Sequence, residues 1–208
     1  GFEKEEGSFS TSIEIAGKLA VVSAGWENTV HGSKSGAAYI YEFNGSEWQE
    51  KQRLISPFGR IDGIFGHNVA TDGKTIIVTE PSAEQVHVYS KTTDLWEHDT
   101  SFTVTDNSSE KFGISAAIDG NSFVVGSGAV FASLCNAVGS VYVFEKSGEI
   151  WSNTEVLVAE GASAHDNFGA DVSIDGDVIV VGADNDECYA GEEGYVCIFQ
   201  KEGNSWNE

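Results

Sequence analysis

The stretch IDGDVIVVGAD, residues 174–184, reads as the end of one β-strand, a tight turn at Asp175-Gly176, a second strand rich in β-branched residues, and an acid. A near copy, IDGNSFVVGSG, occupies residues 118–128. Working outward from this pair, the same frame recurs four times. A Phe opens each unit, at Phe9, Phe65, Phe112 and Phe168, and a Gly lies eight residues further on, at Gly17, Gly73, Gly120 and Gly176. A Trp closes each unit, at Trp48, Trp96, Trp151 and Trp206, seven residues after the aromatic that ends AYIY, VHVY, VYVF or VCIF. The units run over residues 1–63, 64–111, 112–167 and 168–208 of one continuous repeat region. A period of this length is the mark of a repeat architecture.

Each unit reads as four short antiparallel strands. FGADVSI and DVIVVGA flank Asp175-Gly176, and Asp72-Gly73 and Asp119-Gly120 stand in the same place, which predicts type I′ hairpin turns. Unit one departs with Ala16-Gly17. No long apolar period of 3.6 residues appears, so helix is expected to be nearly absent. Both faces of the predicted sheets are apolar, as TIIVT and DVIVVGA show, so each unit must stack on its neighbours. The first strands are rich in small residues (FGISAAI, FGADVSI), as expected where innermost strands converge on an axis. The expected fold class is therefore all-β, a β-propeller of four-stranded antiparallel blades with four blades' worth present.

The pairs FG at 65–66, 112–113 and 168–169, with VVGAD at 180–184, resemble the FG-GAP repeat of the integrin alpha-chain propeller and its extracellular relatives. Unit one departs with FS, and the GAP tripeptide reads SAG, TEP, GSG and GAD. The resemblance implies a ring of about seven blades and an extracellular or cell-surface adhesion role. In integrins some blades carry a DxDxDG calcium loop between strands one and two. Here that place holds only IDGD or IDGN, too few oxygens for the roughly six to eight ligands of Ca²⁺, so calcium does not carry over from the family. The chain stops at SWNE, where the last strand of unit four should begin, so fifteen strands and an unfinished blade are expected, part of a larger propeller.

Composition restricts the partners. Eleven Lys and Arg against 33 Asp and Glu give 208 residues a formal charge of -22, which repels phosphate backbones and anionic lipid headgroups. Nucleic acid is excluded as a partner on this ground. No stretch approaches the roughly 20 apolar residues that span a bilayer, so membrane insertion is not expected. The chain begins at Gly1 and contains no Met, which leads us to expect that its native start was removed by processing or excerpting. A secreted protein is compatible with this.

Several residues stand out as candidates. The acidic loop GADNDECYAGEEG offers Asp184, Asp186 and Glu187, with Glu192 and Glu193, as ligands for Ca²⁺, against the plainer reading of a solvated loop. Cys135 and Cys188 occupy the same inter-strand loop in adjacent units, where a propeller would bring them together as an inter-blade disulfide, the alternative being two free thiols. Cys197 reads as a buried core thiol. Asn44 and Asn107 head N-glycosylation sequons in predicted turns. The loop GWENTVHG inserts Trp26 and His31 between strands two and three of unit one, a candidate contact surface against the alternative of packing beneath the loop.

Catalytic motifs are not evident. The five His show no HExxH, no HxH and no reproducible pairing with acids, and there is no GxSxG, Walker or GxGxxG motif. No enzyme activity is expected from this reading. It leads instead to a non-catalytic extracellular or cell-surface module that recognises a protein or glycan through its inter-strand loops. Two alternatives stay open: a structural segment of a larger extracellular assembly or filament, and the accessory propeller of an enzyme whose catalytic part is absent here.

Overall fold

A computed structural model describes residues 9–104, 110–128, 138–163, 166–184 and 194–208. Among them, alternating apolar strands joined by glycine turns form four antiparallel sheets, each with its strands in chain order. The first sheet holds β1 (Ile13–Ala16), β2 (Leu19–Ala24), β3 (Ala37–Phe43) and β4 (Trp48–Ile55); the second holds β5 (Val69–Thr71), β6 (Thr75–Glu80), β7 (Gln85–Thr92) and β8 (Leu95–Thr103). The third is β9 (Lys111–Asp119), β10 (Ser122–Gly128), β11 (Ser140–Ser147) and β12 (Ile150–Leu157); the fourth is β13 (Phe168–Asp175), β14 (Val178–Ala183), β15 (Tyr195–Glu202) and β16 (Ser205–Asn207). The one helical piece among the described residues is a 3₁₀ turn at Pro81–Ala83.

Two local expectations are corrected. Strand β16 exists, short but paired to β15 from Gln200↔Asn207 to Glu202↔Ser205, so the last blade has its fourth strand. The hairpin turns are not type I′. Asp175 pairs with Val178, which makes Gly176-Asp177 the loop, and only the glycine has positive φ. A positive φ confined to the first loop residue is the pattern of type II′, which still requires glycine there. Gly17 and Gly120 occupy the same position.

Residues 1–104 and 105–208 form two compact units. Within the first, Val21, Ile40 and Leu54 pack against Phe65, Ile76, Val78, Tyr89 and Trp96, so the first and second sheets share one core. Within the second, Val124, Val143 and Leu157 pack against Phe168, Val172, Ile179, Phe199 and Trp206. Full burial of each such side chain contributes about 1.5–3 kcal/mol.

The repeat landmarks are explained by contacts that recur in both units. Gly36 pairs in parallel with Phe65, and Gly139 with Phe168. A Cβ at either glycine would come 2.0 Å from the phenylalanine carbonyl oxygen, so only glycine admits the approach. The closing Trp is tied to the preceding sheet. Trp96 donates its backbone N–H to Gln52 Oε1 at 2.8 Å while Gln52 Nε2 donates back to the Trp96 carbonyl at 2.8 Å, and Trp206 donates its backbone N–H to Glu155 Oε2 at 3.1 Å. Lys91 and Lys201 then bridge to Glu42 and Glu145 of the preceding sheets. Opening Phe and closing Trp are thus the two ends of one sheet-to-sheet clamp.

Candidate active site

Where a repeat departs from itself without a packing reason, function is the first place to look. The second sheet departs at three positions in one row. Strand two ends on Glu80, where the other sheets carry Ala24, Ser127 and Ala183. Strand three carries His87, where the others have Tyr39, Tyr142 and Cys197. Strand four carries Ser101, against Arg53 and Val156.

Strand register brings the three together. His87 pairs with Val78 on one side and Ser101 on the other, so Glu80, two residues beyond Val78, is its diagonal neighbour on the same face. The connection from β6 to β7 is a single 3₁₀ turn with Glu84 in the left-handed region, which keeps Glu80 beside the start of β7. His98 lies three residues from Ser101 and in a regular strand would face the other way. A β-bulge opposite Val88/Tyr89 adds one residue and turns His98 onto the same face.

The geometry is that of a proton relay. Glu80 Oε2 lies 2.9 Å from His87 Nε2, His87 Nδ1 lies 2.8 Å from Ser101 Oγ, and Ser101 Oγ lies 2.7 Å from His98 Nε2. With Nε2–H of His87 donating to the carboxylate, Nδ1 is left to accept from the Ser101 hydroxyl, whose lone pair receives Nε2–H of His98. Glu80 and His87 are fully buried, Ser101 is half-buried and His98 is exposed, so the relay runs from a closed carboxylate to an open hydroxyl edge. Partial desolvation first, then the neighbouring His87, hold the His98 imidazole below its usual value although its edge is open to solvent. Burial, reinforced by the Glu80 charge, pushes the Tyr89 phenol above its ordinary range.

The connection after β4 covers the carboxylate end. Ser56 Oγ donates to Glu80 Oε2 at 2.8 Å, and a Cβ at Gly63 would come 2.3 Å from Glu80 Oε1. Phe58 places its ring 6.1 Å from both the His87 and the His98 rings. Glu80 Oε1 and the Tyr89 hydroxyl are buried without a hydrogen-bond partner among the described residues, as are the indole N–H groups of Trp96, Trp151 and Trp206.

The residues singled out from sequence lie elsewhere. Trp26 and His31 are half-buried: Lys34 Nζ sits 5.3 Å from the Trp26 ring centroid, and a Cβ at Gly59 would come 2.2 Å from His31 Nδ1. His31 therefore props the strap that carries Phe58. Asn44 is exposed in the β3–β4 turn, its Oδ1 accepting from the backbone N–H of Ser46 at 2.9 Å and of Glu47 at 3.1 Å. Asp184 is exposed and accepts from Asn167 Nδ2 at 2.9 Å. Asp186, Glu187, Cys135, Cys188 and Asn107 lie outside the described residues. Cys197 is buried, its thiol donating to Glu208 at 2.9 Å and pushed up to about 12 by burial and that carboxylate. Among the described residues no group of three or more His, Cys, Asp or Glu is arranged to hold a metal ion.

Residues 151–199, from the third sheet's closing Trp to Phe199 of the fourth, match the model of the FG-GAP repeat. That segment carries an FG-GAP repeat. No curated protein sequence is significantly similar to the chain. Among solved structures, this chain is similar to a protein named as a 6-phosphogluconolactonase of Bacteroides uniformis, with TM-score 0.62 and 12% identity over 94% of this chain and 54% of that one. It therefore spans about half the length of that protein. A periplasmic gluconolactonase of Pseudomonas aeruginosa aligns with TM-score 0.44 and 11% identity over 95% of this chain and 83% of that one.

These findings correct the functional expectation. The expectation of a non-catalytic adhesion module is corrected on two findings: the solved structure that shares the fold is named as a lactonase and not as an adhesion protein, and His87 is paired with an acid and a hydroxyl after all. Its members come from three strands, so no contiguous sequence motif contains them.

Proposed function

We propose that this chain is the propeller part of a hydrolase that cleaves carboxylic esters, cyclic esters included. Its four sheets are blades of a larger ring of about seven. The observation that carries the reading is the hydrogen-bonded row Glu80, His87, Ser101. The likeness to a protein named as a lactonase supports it, since a lactone is an intramolecular ester.

In this reading the Ser101 hydroxyl passes its proton to His87 Nδ1 as Oγ bonds to the carbonyl carbon, and Glu80 stabilises the imidazolium through Nε2–H. The tetrahedral oxyanion collapses, the C–O bond to the leaving alkoxide breaks, and the alkoxide takes the proton from Nδ1. Water then repeats the sequence on the acyl-serine, releasing the acid and restoring the Ser101 hydroxyl. Closure of the carboxylate end keeps water from the Glu80–His87 pair, where a low dielectric strengthens it.

The test is turnover of p-nitrophenyl acetate and of glucono-δ-lactone by the full chain. Ser101→Ala is expected to lower kcat by about a thousandfold or more, and Glu80→Gln by a smaller factor. Wild-type rates in Ser101→Ala would reject the reading.

A further inference from the structure

Phe58 is a large apolar side chain at 62% exposure, whereas the Phe residues that serve packing, Phe65, Phe112 and Phe168, are at 0%, 2% and 0%. Its strap is tied down on both sides of it. Ser56 is held by Glu80, Asp62 N–H donates to the Ser33 carbonyl at 2.9 Å, and Ile64 N–H donates to the Lys34 carbonyl at 3.1 Å. Gly59, Asp62 and Ile64 all have positive φ, a conformation a β-branched Ile adopts only when its surroundings impose it. The ring is thus held out over the His87–Ser101–His98 edge and does not collapse into the adjacent core.

We propose that Phe58 is a specificity-determining platform, and that the substrate it selects carries an uncharged sugar-like ring. This rests on the hydrolase reading and names its substrate class. An exposed aromatic face offers apolar contact to the C–H face of a saturated ring, while hydroxyls around that ring keep their polar partners. Phe58 stands 6.1 Å from each of the two imidazoles that flank the Ser101 hydroxyl, which puts the platform at the border of the relay. Charge decides between neutral and anionic rings. A chain with a net charge of -22 repels a phosphorylated sugar at a distance, and the relay contributes a carboxylate of its own.

The experiment measures kcat/KM for glucono-δ-lactone, for its 6-phosphate and for p-nitrophenyl acetate in wild type, Phe58→Ala and Phe58→Trp. Wild type is expected to prefer the neutral lactone over its 6-phosphate. The ratio of lactone to acetate kcat/KM should fall at least about tenfold in Phe58→Ala and recover in Phe58→Trp, mainly through KM. Calorimetric binding of the lactam analogue, in a Ser101→Ala background with and without Phe58→Ala, reads the platform without turnover. Binding lost with Phe58 supports the platform even if Ser101→Ala were to leave turnover intact and sink the hydrolase reading. An unchanged ratio, unchanged lactam binding or a preference for the 6-phosphate overturns the proposal.

Discussion

His87 Nε2 lies 2.9 Å from Glu80 Oε2, and neither side chain is reached by solvent. Such a pair is costly to break and cheap to replace whole, because removing one partner leaves the other buried without compensation. Glu80→Ala should therefore destabilise the fold by about 1–3 kcal/mol, the cost of leaving the His87 N–H buried and unpaired. The double substitution Glu80→Ala with His87→Val should cost less than the sum of the two single changes. Urea unfolding of the four proteins measures the coupling; strict additivity would show that the pair is not a unit.

Glycine at the sheet-to-sheet bridge is a steric requirement. Gly36→Ala places a Cβ 2.0 Å from the Phe65 carbonyl oxygen at φ 82°, so the backbone of one sheet must move away from the other. We expect a loss above about 3 kcal/mol or failure to fold. Gly148→Ala, at φ 64° with nothing within 4 Å, should cost only the roughly 1–2 kcal/mol of the left-handed conformation. Comparable melting temperatures for the two variants would refute the contrast.

The clamp of Gln52 on the Trp96 backbone involves two hydrogen bonds, that of Glu155 on Trp206 only one. Gln52→Ala should cost about 1–3 kcal/mol and Glu155→Ala about half of that. The measurement is the denaturation midpoint of each. An inverted order would remove the clamp as the reason for a fixed Trp.

Acid should weaken the fold in part through His98. Partial desolvation and His87 hold its folded pKa below 6.5, the ordinary value, so below that pH the unfolded chain binds more protons than the folded one. The stabilising contribution is complete above about pH 6.5 and is lost as pH falls through the folded pKa. His98→Gln should flatten the decline in urea midpoint between about pH 7 and pH 5. A slope identical to wild type would show that His98 titrates alike in both states.

The sequence by itself determined the number of sheets, the order of their strands and the places of the turns. These follow from short-range rules: alternation of apolar residues, glycine at each tight turn, and a Phe and a Trp at fixed offsets. Its departures from its own repeat, Glu80 and His87, were visible in TEP and VHVY, but nothing in the chain order joins them to Ser101 or to Phe58. Tertiary structure alone decided the site. Cross-strand register sets His87 between Glu80 and Ser101, a bulge turns His98 to the same face, and the strap after β4 brings Ser56 and Phe58 over them. The physical reason is that hydrogen bonding between strands fixes which distant residues become neighbours, and a single inserted residue reverses the face on which a side chain emerges.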